Sequence, residues 1–94
     1  MKVRVKFFTV LRELTGKKEE EIDLPNTITV EELLSLLSER HGRGFTDYVY
    51  DEEGRVRDHL QFLVNGRSIT NLQGFETSLE EGNTFAIIPP VGGG

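Results

Sequence analysis

The element that most constrains this chain is a helix whose two ends are both written in the sequence. Thr29 and Glu32 have the spacing of a capping box, in which each side chain satisfies a backbone N–H at the helix start. Val30, Leu33, Leu34 and Leu37 recur at helical spacing, and Gly42 supplies the stop. The segments around it read mostly as strands. Residues 2–9 alternate, with Val3, Val5 and Phe7 on one side and Lys2, Arg4 and Lys6 on the other, as in a half-buried strand. A short helical turn is predicted over Val10–Thr15, closed by Gly16. Glu19–Leu24 reads as a second strand with Ile22 and Leu24 inward, ended by Pro25-Asn26. Asn65-Gly66, between the strand-like runs Leu60–Val64 and Arg67–Ile69, predicts a type I′ hairpin, which needs positive φ twice. After a connection through Gly74 and Phe75 and a turn at Leu79–Asn83, the apolar run Thr84–Ile88 suits a central strand. Residues 43–58 are irregular and read as a loop anchored by Phe45, Tyr48 and Val49, with a turn at Glu53-Gly54. One long helix cannot cover both faces of a mixed sheet of this size. The expected packing is an α+β domain, a twisted sheet wrapped over the helix on one side, with its other face left to water or a partner.

Composition narrows the function. Ninety-four residues fit one domain, read as residues 1–90 followed by a flexible glycine-rich tail, 91–94. A single modest core leaves no room for an enclosed enzyme pocket. Without cysteine there are no disulfides, thiolate metal sites or cysteine nucleophile. A net charge of −5 argues against a general nucleic-acid binder. A membrane-crossing helix needs about 20 consecutive apolar residues, and the apolar runs here are far shorter. The start carries no signal-peptide pattern, so the expected setting is cytoplasmic, away from any membrane.

The end of the chain is the odd feature. Pro89-Pro90 cannot donate ladder hydrogen bonds and stiffens the exit from the last strand. Val91-Gly92-Gly93-Gly94 follows, and from Pro90 these four residues reach about 13–14 Å when extended. A bare glycine terminus can thread a channel too narrow for any Cβ and deliver an unhindered carboxylate to another protein's active site. Ordering such a tail costs about 1–2 kcal/mol per residue, so a separate docking surface must supply the affinity. ATP can convert a carboxylate to an acyl-adenylate open to attack by a thiol, a persulfide or an amine. The bland alternative is a frayed end or a cloning remnant.

At this point the sequence resembles the small subunits of molybdopterin synthase, within the ubiquitin-like sulfur-carrier superfamily. The resemblance runs over nearly the whole chain. It rests on the Val3–Phe8 strand followed by Leu11-Arg12-Glu13-Leu14-Thr15-Gly16, the helix start Thr29–Leu33, Val64-Asn65-Gly66-Arg67, Leu79-Glu80-Glu81-Gly82 and the ending Ile87–Gly94. It implies a β-grasp fold. It also implies that Gly94 is adenylated by a ubiquitin-activating-type enzyme and becomes a thiocarboxylate, with Gly93 as the flexible residue behind it. The large synthase subunit would then use that sulfur to build the dithiolene of molybdopterin. ATP belongs to the activating partner, and the carrier itself is expected to hold no cofactor and no metal. Gly92 departs from the Ser or Ala that often precedes the glycine pair, which adds flexibility. A thiazole-pathway carrier is similar in principle but typically shorter and without the double proline.

Alternation places Phe8, Leu63 and Ile88 opposite the core-facing residues of their strands, as a candidate docking patch to which Phe75 can add. Pro89, Pro90, Val91 and Gly92 complete the expected partner-binding set. His41 reads as a polar residue ending the helix, and His59 as a loop residue. Asp47, Asp51, Glu52, Glu53 and Asp58 do not have calcium-loop spacing. Gly42-Arg43-Gly44 follows a helix and is no nucleotide fingerprint. Glu19-Glu20-Glu21 reads as an exposed, charged strand edge. Two other functions stay open: a ubiquitin-like modifier joined through its last glycine to lysines of target proteins, and a noncatalytic binding module with an incidental tail. Nothing in the residues offers the nucleophile–base pair of an enzyme acting alone.

Overall fold

The structure is a computed structural model and describes residues 1–90. Along the chain come β1 (Lys2–Phe7), α1 (Val10–Thr15), β2 (Glu19–Asp23), β3 (Ile28–Thr29), α2 (Val30–His41), α3 (Arg43–Val49), β4 (Gln61–Val64), β5 (Arg67–Ser68), β6 (Ser78–Leu79) and β7 (Thr84–Ile88). Short 3-10 turns at Ile69–Asn71 and Gly74–Glu76 lie between β5 and β6. The main sheet has the order β2-β1-β7-β4-β5; β7 runs parallel to β1, and the other pairs are antiparallel. Val3, Val5 and Phe7 from β1 and Phe85 and Ile87 from β7 point to the same side and are fully buried. There they join Leu33, Leu34 and Leu37 of α2 in one core. The mixed sheet curled over one long helix is the β-grasp arrangement that the resemblance implies.

Local chemistry explains the elements that were expected. Glu32 N–H donates to Thr29 Oγ1 at 3.2 Å and Thr29 N–H donates to Glu32 Oε1 at 2.9 Å, so the capping box is complete. Gly16 closes α1 at φ 77°. Asn65 and Gly66 sit at φ 51° and 82°, as a type I′ turn demands, and join β4 to β5. β7 is flanked by β1 and β4, which is why its run reads as apolar without alternation.

Three local features differ from the sequence reading or were not foreseen by it. Residues 43–49 form a helix, α3, and not a loop. Phe45 and Val49, four apart, are fully buried beneath it, while the glycines at 42 and 44 disguise the pattern. β3 and β6 make a separate two-stranded ladder, in which Ile28 faces Leu79, too short to show a period. It seats the start of α2, where Val30 N–H donates to Thr77 O at 2.9 Å.

Third, the Glu19–Glu21 run is not wholly exposed. Glu20 lies directly opposite Val5 and therefore faces inward, with only 5% of its side chain accessible. Its carboxylate gathers His41 Nε2 at 2.6 Å, Arg40 Nη1 at 3.2 Å and Lys17 Nζ at 3.3 Å. This cluster ties the last turn of α2 to the edge strand β2, and the His41 ring also packs edge-on to Phe7. Burial alone pushes the Glu20 carboxyl up, but hydrogen bonds from His41 and Lys17, with their charges, bring it below its ordinary 4.5.

The depressed value means that the folded state binds fewer protons than the unfolded chain in this range. The stabilisation is complete above 4.5 and is lost as pH falls through the lower, folded value. Urea titrations should show the native protein losing stability over that acidic interval. Glu20→Gln should remove that part of the pH dependence and cost about 1–2 kcal/mol at neutral pH. Thr29→Ala should cost about 1 kcal/mol in the same assay, through loss of the cap.

Candidate functional site

The outward side of the main sheet divides into two parts. On the β2–β1 half, Arg4 Nε reaches Glu19 Oε2 at 3.2 Å and Lys2 Nζ lies 3.7 Å from Glu21 Oε1, an exposed ladder of opposite charges. On the β7–β4 half the outward residues Leu63, Ala86 and Ile88 are apolar, with Gln61 and Thr84 at the margins. The register aligns Lys6 with Ala86 and Ala86 with Leu63 across three strands, and sets Ile88 beside Gln61. Phe8 directly follows Phe7, whose neighbour in β7 is Ile87. Phe8, Leu63 and Ile88 are half-buried, and none belongs to the core or to the hydrophobics packed against it. Leu63 and Ile88 thus share the open face, and Phe8 lies just past the end of β1 at its margin.

Phe75 is elsewhere. Its ring packs against Phe62 at 5.6 Å between centroids, and Phe62 points to the helix side of the sheet. Phe75 is 37% exposed and borders a groove beside α2, so it adds nothing to the open-face patch. A 3-10 turn at Gly74–Glu76 decides this, and no residue period announces it. Conversely, Ala86 joins Leu63 to Ile88, and Lys6 borders the patch with no carboxylate in ion-pair range among the described residues, because Glu19 opposite it is held by Arg4. Both positions follow from period two once the strands are aligned.

β7 and β1 run in the same direction, so the chain leaves the sheet where Phe8 and Ile88 lie. Pro89 is half-buried there and Pro90 exposed. Val91, Gly92, Gly93 and Gly94 lie outside the described residues. Beside this exit Thr9 takes φ 46° and ψ −117°, a positive-φ conformation uncommon for a β-branched residue, as the chain turns from β1 into α1.

The other candidates resolve into structural roles. His41 serves the Glu20 cluster, and His59 is exposed. Asp51 caps its own turn: the hydrogen bond from Arg55 N–H holds its carboxyl below the usual range, helped by Glu53 N–H and the nearby arginine charges. Among the described residues no group of His, Asp and Glu is arranged to hold a metal, and no helix is long and apolar enough to cross a membrane.

A β-grasp domain with an open apolar sheet face at the end from which its last strand departs is the class of molecule defined here. The chain belongs to the ThiS family, which it matches over residues 5–94. It is 32% identical to small archaeal modifier protein 3 of Haloferax volcanii over 94 residues, covering the whole of both chains. It is 38% identical over 93 residues to the molybdopterin synthase sulfur carrier subunit of Drosophila erecta, covering 98% of this chain and 90% of that one. The crystal structure of SAMP1 from Haloferax volcanii superposes with a TM-score of 0.86 at 26% identity, over the full length of each.

The two sides of β4 should respond differently to mutation. Phe62→Ala, which removes a ring stacked on Phe85, should cost about 3–5 kcal/mol in chemical denaturation. Leu63→Asp, one residue along and outward, should cost about 1 kcal/mol or less and leave the fold intact.

Proposed function

We propose that this protein is a sulfur carrier whose reactive group is the carboxylate of Gly94. The observation that carries the reading is the match to the ThiS family over residues 5–94, on a domain whose last strand leaves beside an open apolar face. In the proposed cycle a ubiquitin-activating-type enzyme binds ATP and joins AMP to the Gly94 carboxylate, releasing pyrophosphate. Sulfide delivered by a sulfur donor attacks the acyl carbon, AMP leaves, and a thiocarboxylate remains. This chain contributes the acyl group and its presentation, while the chemistry belongs to its partners, so it acts as a carrier and not as an enzyme on its own.

The physical demands of that cycle agree with the geometry. Threading Gly92-Gly93-Gly94 into a narrow channel costs conformational entropy, which burial of the half-exposed Phe8, Leu63 and Ile88 against the partner offsets. Pro89 and Pro90 stiffen the exit and limit how much chain must be ordered. The same face serves the activating enzyme and then the acceptor, which therefore bind in turn. The acceptor in this reading is the large subunit of molybdopterin synthase, by the likeness to the Drosophila carrier subunit. A second reading has its own support. The archaeal relative of equal length is named a modifier, and a lysine amine attacking the same adenylate would give an isopeptide bond and release AMP.

The test is intact mass after incubation with ATP, the activating enzyme of the same organism and a sulfur donor. Exchange of one terminal oxygen for sulfur, localised to Gly94, is expected, and deletion of Gly93-Gly94 should abolish it. An unchanged mass with an activating enzyme shown to be active on another carrier overturns the proposal. Leu63→Asp should weaken association with the activating enzyme by about tenfold or more while the domain remains folded. Incubation of the thiocarboxylated form with a pterin precursor and the large subunit, or with lysine-bearing proteins, separates the two acceptors.

A further inference from the structure

On the helix side of the domain, away from the open sheet face, a groove of about 680 Å³ runs beside α2. Its size falls within the range of established ligand sites. Leu34 and Val56 form its apolar floor, and Tyr50 and Phe75 its aromatic sides. Tyr50 and Val56 are held facing each other by an isolated antiparallel bridge, so that wall is built into the backbone. The Ser35 and Ser38 hydroxyls line the groove beside the Tyr50 phenol. Burial, first of all, pushes the Tyr50 phenol above its ordinary value, and the Glu31 charge adds to this against the pull of those serine hydroxyls.

The charges at the groove are one-sided. Glu31 and Glu39 are exposed on α2 at either end of it, and neither takes part in an ion pair among the described residues. The cation on the opposite wall, Arg55, is already engaged, by Glu53 at 2.7 Å and Asp51 at 3.8 Å. The field left for an occupant is negative. Eight residues of helix separate the two carboxylates by about 12 Å along the axis. Side chains i and i+4 of an extended strand lie on one face about 13 Å apart, with i+2 between them.

From this match we propose that the groove is a second protein-binding site, which takes an extended segment bearing two cationic side chains around a central aliphatic one. The cations meet Glu31 and Glu39. The aliphatic residue enters between Tyr50 and Phe75. The site faces away from Phe8, Leu63 and Ile88, so it can be occupied while the open face is docked, and it does not depend on the chemistry of Gly94.

The probe is the capped peptide Lys-Ser-Leu-Ser-Lys, titrated into the full-length, isotope-labelled protein and followed by amide chemical shifts. The control is a capped scramble, Ser-Lys-Lys-Ser-Leu, with the same charge and composition. Saturable shifts are expected at Ser35, Ser38, Tyr50 and Phe75 and not at Leu63 or Ala86, with the scramble binding several-fold more weakly. The double variant Glu31→Gln, Glu39→Gln removes only exposed charges and should keep the native spectrum while weakening the peptide about tenfold. Absence of saturation at millimolar peptide, equal binding of the scramble, shifts centred on the open face, or unchanged affinity in the double variant would each overturn the proposal.

Discussion

The rest of the molecule depends on the packing of one apolar stripe of α2 against one face of the sheet. Leu33, Leu34 and Leu37 are completely buried, as are Val5, Phe7, Phe85 and Ile87 opposite them. The alternation of β1 and β4 supplies an inner surface that only a helix of this length can cover. The outward side is left without a layer of its own. The charged ladder between β1 and β2 keeps half of that side compatible with water, whereas Leu63, Ala86 and Ile88 give the other half an apolar character. Among the described residues, that face and the groove beside α2 are the surfaces that stand out.

Both ends of α2 are fastened by polar groups. At its start the Thr29–Glu32 box and the Thr77 carbonyl satisfy backbone donors. At its end Arg40 and His41 close on Glu20. A buried carboxylate is costly unless paired, and this one is paired with cationic groups from the helix end and from the α1–β2 turn. The arrangement ties the helix to an edge strand that has no neighbour on its other side among the described residues.

Much of this was legible in the residues because it rests on short-range rules. The ends of α2, the α1 turn, the Asn65-Gly66 hairpin and the outward placing of Leu63 and Ile88 all follow from caps, turn chemistry and periods of two or 3.6. What was missed lies where such rules are silent or conflict. α3 is hidden because glycine argues against helix while Phe45 and Val49 argue for it, and burial against α1 and α2 decides the matter. Glu20 reads as surface by its charge, yet the period set by Ile22 already points it inward. Phe75 has no period at all, and its 3-10 turn turns it toward Phe62.

The sequence by itself determined the helix and its limits, the hairpin turn and the apolar character of the last strand, because each depends on residues near one another in the chain. Only the tertiary structure decided that β7 lies between β1 and β4 and runs parallel to β1, which sets the exit of the chain beside Phe8 and Ile88. It alone decided that Glu20 meets His41 and that Tyr50, Val56 and Phe75 close a groove along α2. Apart from Tyr50 and Val56, which face each other across a short turn, those pairings join elements distant in the chain. Their geometry is set by how the sheet twists over the helix, a property of the assembled layers that no local pattern of residues encodes.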